Sequence, residues 1–170
     1  MKILLHACCG PCAIECVRLL ADEKHDVALF WYNPNIAPKD EHDKRYESLH
    51  KFAELSGTQL ITHSDYGVED FVGNVISTHA DDCGICYTTR LYAAANATFG
   101  SGFDAFSTTL LISPYQKHDV IRSVGVNIAQ MIGTNFYYCD FRPSFRVGQQ
   151  KAREMGLHMQ KYCGCLKHKD

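Results

Sequence analysis

The amino-acid sequence predicts a single α/β domain over residues 1–170, an open, mostly parallel, five-stranded sheet with helices on both faces, ending in a Cys-x-Cys tail. Three observations predict it. The chain has 170 residues, 46% of them hydrophobic and 21% charged, and a chain of this size buries roughly 70% of its unfolded surface, enough for one sizeable core. Short apolar runs rich in β-branched and aromatic residues alternate with longer stretches of helical periodicity, the order that parallel sheets require. No internal repeat, low-complexity tract or long linker interrupts the alternation.

Each element has its own cue. "KILLHAC" is the first strand, and "PCAIECVRLLADE" the first helix, with Pro11 at a first-turn position and Ile14, Val17 and Leu20 as an apolar stripe. "DVALFWYN" is the second strand; Pro34 and Pro38 break the chain after it. A polar helix follows in "KDEHDKRYESLHKFAELSG", with Tyr46, Leu49, Phe52 and Ala53 on one side and Gly57 as its stop. "TQLITHS" is the third strand. "GVEDFVGNVIS" and "DDCGICYTTRLYAAANATFG" are helices, the latter with Asp81 and Asp82 near its positive end. "FDAFSTTLLI" is the fourth strand, "YQKHDVIRSVGVNIAQMIG" a helix, "NFYYCDF" the fifth strand and "GQQKAREMG" the last helix. In such a sheet, ligands bind outside the carboxyl ends of the strands.

Net charge is −2 and the sequence pI is near 6.5, which excludes a global basic field, so a nucleic-acid partner has to be held by a local patch. No run of 18 apolar residues occurs and Met1-Lys2 leads directly into the first strand. The expected setting is therefore cytoplasmic, without membrane association. Nine cysteines are many for that compartment, where structural disulfides are rare and clustered thiols bind metal or do redox chemistry. They fall as Cys8-Cys9-x-x-Cys12, Cys83-x-x-Cys86 and Cys163-x-Cys165, with Cys16 and Cys139 apart.

Cys9-Gly10-Pro11-Cys12 has the spacing of a thioredoxin-type thiol pair, but here the pair follows the first strand and a third cysteine adjoins it, against that motif's usual context. A four-thiolate zinc site on Cys83, Cys86, Cys163 and Cys165 satisfies tetrahedral geometry yet leaves Cys8, Cys9 and Cys12 unexplained. Four thiolates also satisfy one iron-sulfur cluster, and the remaining thiols with one carboxylate could then hold an additional metal beside it. The nine histidines show no ligand spacing, and His6 is expected to pack within the first strand.

Six motifs, "HACCGPC", "YNPNI", "CGICY", "FSTTLLISPYQ", "DFRPSFR" and "QKYCGC", appear in the order found in the cobalamin-independent, QueH-type epoxyqueuosine reductases, and the chain resembles that family over nearly its whole length. The resemblance implies an α/β fold like that of adenine-nucleotide hydrolases (Rossmann-like), a 4Fe-4S cluster with an adjacent mononuclear iron, and removal of the epoxide oxygen from epoxyqueuosine at the wobble position of tRNA. It also implies an external electron donor. Cys16 and Cys139, and the flanks of "DDCGIC" and "HMQKYCGC", depart from the family's commoner pattern.

Turning an epoxide into an alkene takes two electrons, two protons and an oxophilic acceptor for the oxygen, which an iron supplies while a cluster delivers single electrons. The expected cluster ligands are Cys8, Cys9, Cys83 and Cys86, and those of the second iron Cys12, Cys163 and Cys165, Cys12 thereby being catalytic. Asp140 is the other catalytic expectation, as a metal ligand or proton-positioning group, set against the commoner role of an aspartate as a turn cap. Tyr32, Asn33, Tyr115 and Gln116 are expected to touch the substrate base, and Arg142 and Arg146 the phosphates, with Lys151, Arg153 and Lys161 as further cations. Two alternatives stand beside this. A nucleotide-activating tRNA-modifying enzyme calls for a glycine- and serine-rich loop where three thiols stand; a zinc-stabilised RNA-binding module calls for a colourless protein.

Overall fold

Ile3, Leu4 and Leu5 have no solvent exposure because β1 (Lys2–His6) lies inside a parallel sheet and is hydrogen-bonded on both edges. The structure, a computed structural model, describes residues 1–63, 65–67, 69, 71 and 82–165. β1 pairs with β2 (Asp26–Trp31) in the register Ile3 to Val27, and with β4 (Ala105–Thr108) in the register Ile3 to Ala105. β3 (Leu60–Thr62) pairs with β2, so the order is β3-β2-β1-β4. From β1 the chain moves outward one way and then returns to the other side, which puts the topological switch point between β1 and β4.

The helices form two packed groups. α1 (Gly10–Asp22) packs against α2 (Lys39–Ser56) and α5 (Phe145–Glu154), whereas α3 (Asp82–Thr98) packs against α4 (His118–Ile132) and onto β1 and β4. The helix expected over residues 67–77 falls largely outside the described residues. This is the anticipated doubly wound architecture, with helices on both faces.

The observed sheet falls one strand short of the expectation: among the described residues it has four strands, not five. "NFYYCDF" has strand-forming residues, yet it touches the edge only through a parallel bridge between Phe106 and Phe136, where the Phe106 N–H donates to Asn135 O at 2.9 Å and the Tyr137 N–H to Phe106 O at 2.8 Å. The cause lies in the neighbour. The fourth strand stops at Thr108, whose hydroxyl accepts the Leu110 N–H at 3.1 Å and turns the chain into a 3-10 helix at Thr109–Ile112. A strand needs a partner of matching length, and β4 runs out.

Candidate metal centre

After β1, Ala7, Cys8 and Cys9 cross the switch point and α1 begins at Gly10, with Pro11 in its first turn. Cys9 occupies the N-cap position in extended backbone, and its thiol makes no capping bond. Instead the sulfurs of Cys8, Cys9 and Cys12, all buried, lie within 4.8 Å of one another, the one such compact donor group among the described residues. Gly10 lets the start of α1 approach α2: a Cβ there would stand 2.6 Å from the Ser48 carbonyl oxygen.

The end of β4 reaches the same point. Thr109 Oγ1 accepts the Cys8 N–H at 3.2 Å and donates to Cys8 Sγ at 3.5 Å, and Gln160 Nε2 donates to Cys12 Sγ at 3.7 Å. Hydrogen bonds from the Cys12 and Cys9 thiols hold Cys8 well below the usual thiol range, against its burial. The same sharing with Cys8 pushes Cys12 up, and burial pushes Cys9 up. Three thiols this close favour ionising one of them and oppose ionising the others.

Cys83 and Cys86, at the start of α3, meet Cys163 and Cys165 of the tail around a second cavity of about 20 Å³, whose wall also includes Asn35 and Arg90. Burial pushes the Cys86 thiol up to about 11. The described part of the tail has no regular structure; the Ala37 N–H donates to Gly164 O at 2.9 Å, and side chains fix the rest. The guanidinium of Arg45, itself buried and paired with Glu41 at 2.7 Å, donates to Tyr162 O at 2.9 Å and Cys163 O at 3.1 Å. Gly164, at φ +116, sits where a Cβ would stand 2.8 Å from Ile36 Cγ1, so "YNPNI" and "YCGC" are packed face to face. Asn35 is 4% exposed, and both polar atoms of its amide lack a partner among the described residues.

A cleft of about 1180 Å³ opens over both groups, lined by Cys8, Cys12, Cys83 and Cys163. That is room for a nucleoside and its neighbours. Tyr115, Gln116 and Arg146 line it as expected, together with Arg153 and Lys161. Gln116 accepts the Tyr87 hydroxyl at 2.6 Å, and Tyr115 stands 85% exposed with its ring edge-on to Phe145.

Other expected residues lie elsewhere. Asn33 is an interior brace, donating to Ala7 O at 2.9 Å and bonded to His6, and Tyr32 packs on His63, 4.5 Å between ring centroids; neither lines the cleft. Asp140 pairs with Arg142 through two bonds of 2.8 and 2.7 Å, accepts the Arg142 N–H and starts a 3-10 turn, also away from the cleft lining. That pairing holds the Asp140 carboxyl down to about 2. Lys151 is engaged by Glu15 at 2.7 Å. The division of cysteines expected from the sequence cuts across both groups: the structure brings Cys12 to Cys8 and Cys9, and the tail thiols to Cys83 and Cys86.

Four contributors escaped sequence reasoning: Arg45, Arg90, Thr109 and Gln160. The two arginines had a readable signal. Glu41, Arg45, Leu49 and Phe52, like Cys86, Arg90 and Ala94, recur at helical spacing on a buried face. Thr109 and Gln160 act from irregular segments, where no periodicity marks them.

A doubly wound sheet whose switch-point crevice is lined with thiols, where a nucleotide-binding relative would carry a glycine loop, defines an α/β protein with a donor set suited to a thiolate-ligated metal. The fold is similar to that of a predicted subunit of tRNA methyltransferase from Methanocaldococcus jannaschii, with a TM-score of 0.56 at 13% identity over 91% of this chain and 76% of that one. That likeness concerns the fold alone. The family described as Epoxyqueuosine reductase QueH matches residues 3–169. Epoxyqueuosine reductase QueH of Dehalococcoides mccartyi is 34% identical over 97% of this chain and 91% of its own length. Those of Thermotoga maritima and Streptococcus pyogenes are each 29% identical, covering 88% and 69% of their own lengths. The chain belongs to the epoxyqueuosine reductase QueH family.

Proposed function

We propose that this protein is the oxidoreductase that converts epoxyqueuosine to queuosine at the wobble position of tRNA, the last step of queuosine biosynthesis. The observation that carries the reading is that two thiol groups, seven cysteines in all, each send two members, Cys8 and Cys12 from one and Cys83 and Cys163 from the other, into one cleft large enough for the nucleoside. The donor set fits a 4Fe-4S cluster held by Cys83, Cys86, Cys163 and Cys165, where the unpartnered Asn35 amide awaits an acceptor, and an adjacent iron held by Cys8, Cys9 and Cys12. When bound, these groups supply single electrons and a Lewis acid for the epoxide oxygen.

The chain's own side chains do the rest. Removing the oxygen consumes two electrons from an external donor and two protons, and releases water. Thr109 and the neighbouring thiols keep Cys8 ready as a thiolate. Tyr115 and Gln116 stand where they orient the base and its neighbours, and Arg146, Arg153 and Lys161 where phosphates of the anticodon arm pass. Asp140 serves the turn before Arg142 and not the proton relay. Among the described residues no helix is long and apolar enough to cross a membrane, in keeping with a tRNA substrate met in the cytoplasm.

Two variants test the reading. In anaerobically prepared protein, Cys83→Ala strips the cluster and its broad visible absorbance, because a methyl group cannot ligate iron. Cys12→Ala keeps the colour, loses about one iron per chain and abolishes turnover. Wild-type protein with stoichiometric zinc and no acid-labile sulfide overturns the reading in favour of a zinc-stabilised RNA-binding module.

A further inference from the structure

α3 places Arg90 one turn beyond Cys86, and its side chain is driven into the interior, 2% exposed. Its guanidinium donates from Nη2 to Cys86 Sγ at 3.0 Å, from Nε to Cys86 O at 3.3 Å and from Nη1 to Asn33 Oδ1 at 3.5 Å. Among the described residues no carboxylate pairs with it. A guanidinium carries its charge permanently, and a buried charge has to be compensated.

The surroundings narrow what compensates it. Asn33 and Asn35 are neutral amides. His6 is bonded to Thr108 at 2.9 Å and to Asn33 at 3.2 Å, and an imidazole offers no negative charge to offset the guanidinium. What remains beside the guanidinium is sulfur: Cys86 in direct contact, and Cys83, Cys163 and Cys165 around the shared cavity. The protein has thus buried a fixed positive charge against thiols that become anionic when they ligate a metal.

We infer that Arg90 is the internal counter-charge of the thiolate-bound centre, a positioning residue that sets its reduction potential. The inference rests on the cluster reading above. When a reductant such as dithionite gives one electron to the centre and is itself oxidised to sulfite, the centre's net charge falls by one unit while Arg90 stays positive, so the reduced state is the one Arg90 favours. A unit charge in contact with a ligand sulfur, at the effective dielectric of a protein interior, is worth at least a tenfold step in that equilibrium.

The experiment is a dithionite titration followed by electron paramagnetic resonance, with iron and sulfide assayed on the same samples of whole protein. Arg90→Gln that retains its metal has a midpoint more negative by at least tenfold in the reduction equilibrium, 59 mV for a one-electron couple. Arg90→Lys, which keeps the charge and loses the fork, stays within threefold of wild type. Asn33→Asp, nearly isosteric, places a carboxylate against the guanidinium and moves the midpoint in the same negative direction as Arg90→Gln. A loaded Arg90→Gln with an unchanged midpoint overturns the inference. Where Arg90→Gln does not load, an unchanged midpoint in Asn33→Asp overturns it equally, as does failure of all three variants to load when wild type does, which reduces Arg90 to a folding residue. Wild-type protein without iron and sulfide overturns the cluster reading itself, a result the metal assay separates from the others.

Discussion

Cys8, Cys9 and Cys12 take their places from regular secondary structure, whereas Cys163 and Cys165 take theirs from a clamp, the Arg45 side chain of a distant helix and one backbone bond from Ala37 to Gly164. The first group hangs between a paired central strand and a helix start, so the sheet that forms the core also aims the thiols. The second group lies on irregular chain whose carbonyls are gripped by Arg45 and whose Gly164 packs on Ile36. A site set by secondary structure is as stable as the fold, while one set by a clamp opens when the clamp is lost.

Arg45→Met is the sharpest way to break that contrast. It leaves Glu41 half-buried with only His158 facing it, at 3.0 Å, and removing one partner of a buried ion pair costs about 3–5 kcal/mol. Urea denaturation measures that loss. Thiol labelling of metal-free protein should show Cys163 and Cys165 newly reactive and Cys8, Cys9 and Cys12 still protected; equal labelling of both groups contradicts the contrast.

The next effect concerns the first group. The folded pKa of His6, about 4, lies below its ordinary 6.5, so between those values the unfolded chain binds the extra proton and stability rises with pH. Metal-free protein should keep this contribution above pH 6.5 and lose on the order of 3 kcal/mol as pH falls to 4. A His6→Gln variant should show a flatter profile over that window, and an identical slope would mean that His6 does not titrate as argued.

Gly10→Ala sets a methyl group against the Ser48 carbonyl and should cost about 1–3 kcal/mol, as overpacking does. Its labelling pattern should invert that of Arg45→Met, exposing the first group and sparing the tail. The smallest effect is at Asp140. Its ion pair with Arg142 is more than one-third exposed on both sides, so Asp140→Asn should change stability by no more than about 1 kcal/mol. Because the folded carboxyl is depressed, that increment is present above about pH 4 and fades as pH falls towards 2, which denaturation series of both proteins would register.

The same contrast explains what could be read beforehand. β1, α1 and the switch-point loop were legible because apolar runs and Pro11 act locally. The missing fifth strand was not, since the residues of "NFYYCDF" favour pairing and only the early turn at Thr109 denies them a partner. The cysteine motifs announced a thiol centre, but their grouping depends on where α3 and the tail pack, which spacing along the chain does not encode. Arg45 and Arg90 share helical spacing with buried neighbours, which the chain shows, but what their guanidinium groups meet depends on packing across the fold.

Arg45 and the Cys163 carbonyl it holds are 118 residues apart, and a ribosome adding about 5–20 residues per second takes roughly 6–24 s to cover that distance. Through this interval the growing chain already contains Cys8, Cys9 and Cys12, and for part of it Cys83 and Cys86, but not the last two sulfurs. Completion of the thiol set is therefore tied to translation of the tail: a nascent chain can begin to bury its central strands well before it can present all seven thiols, and the timetable of synthesis sets the order in which the two groups are completed.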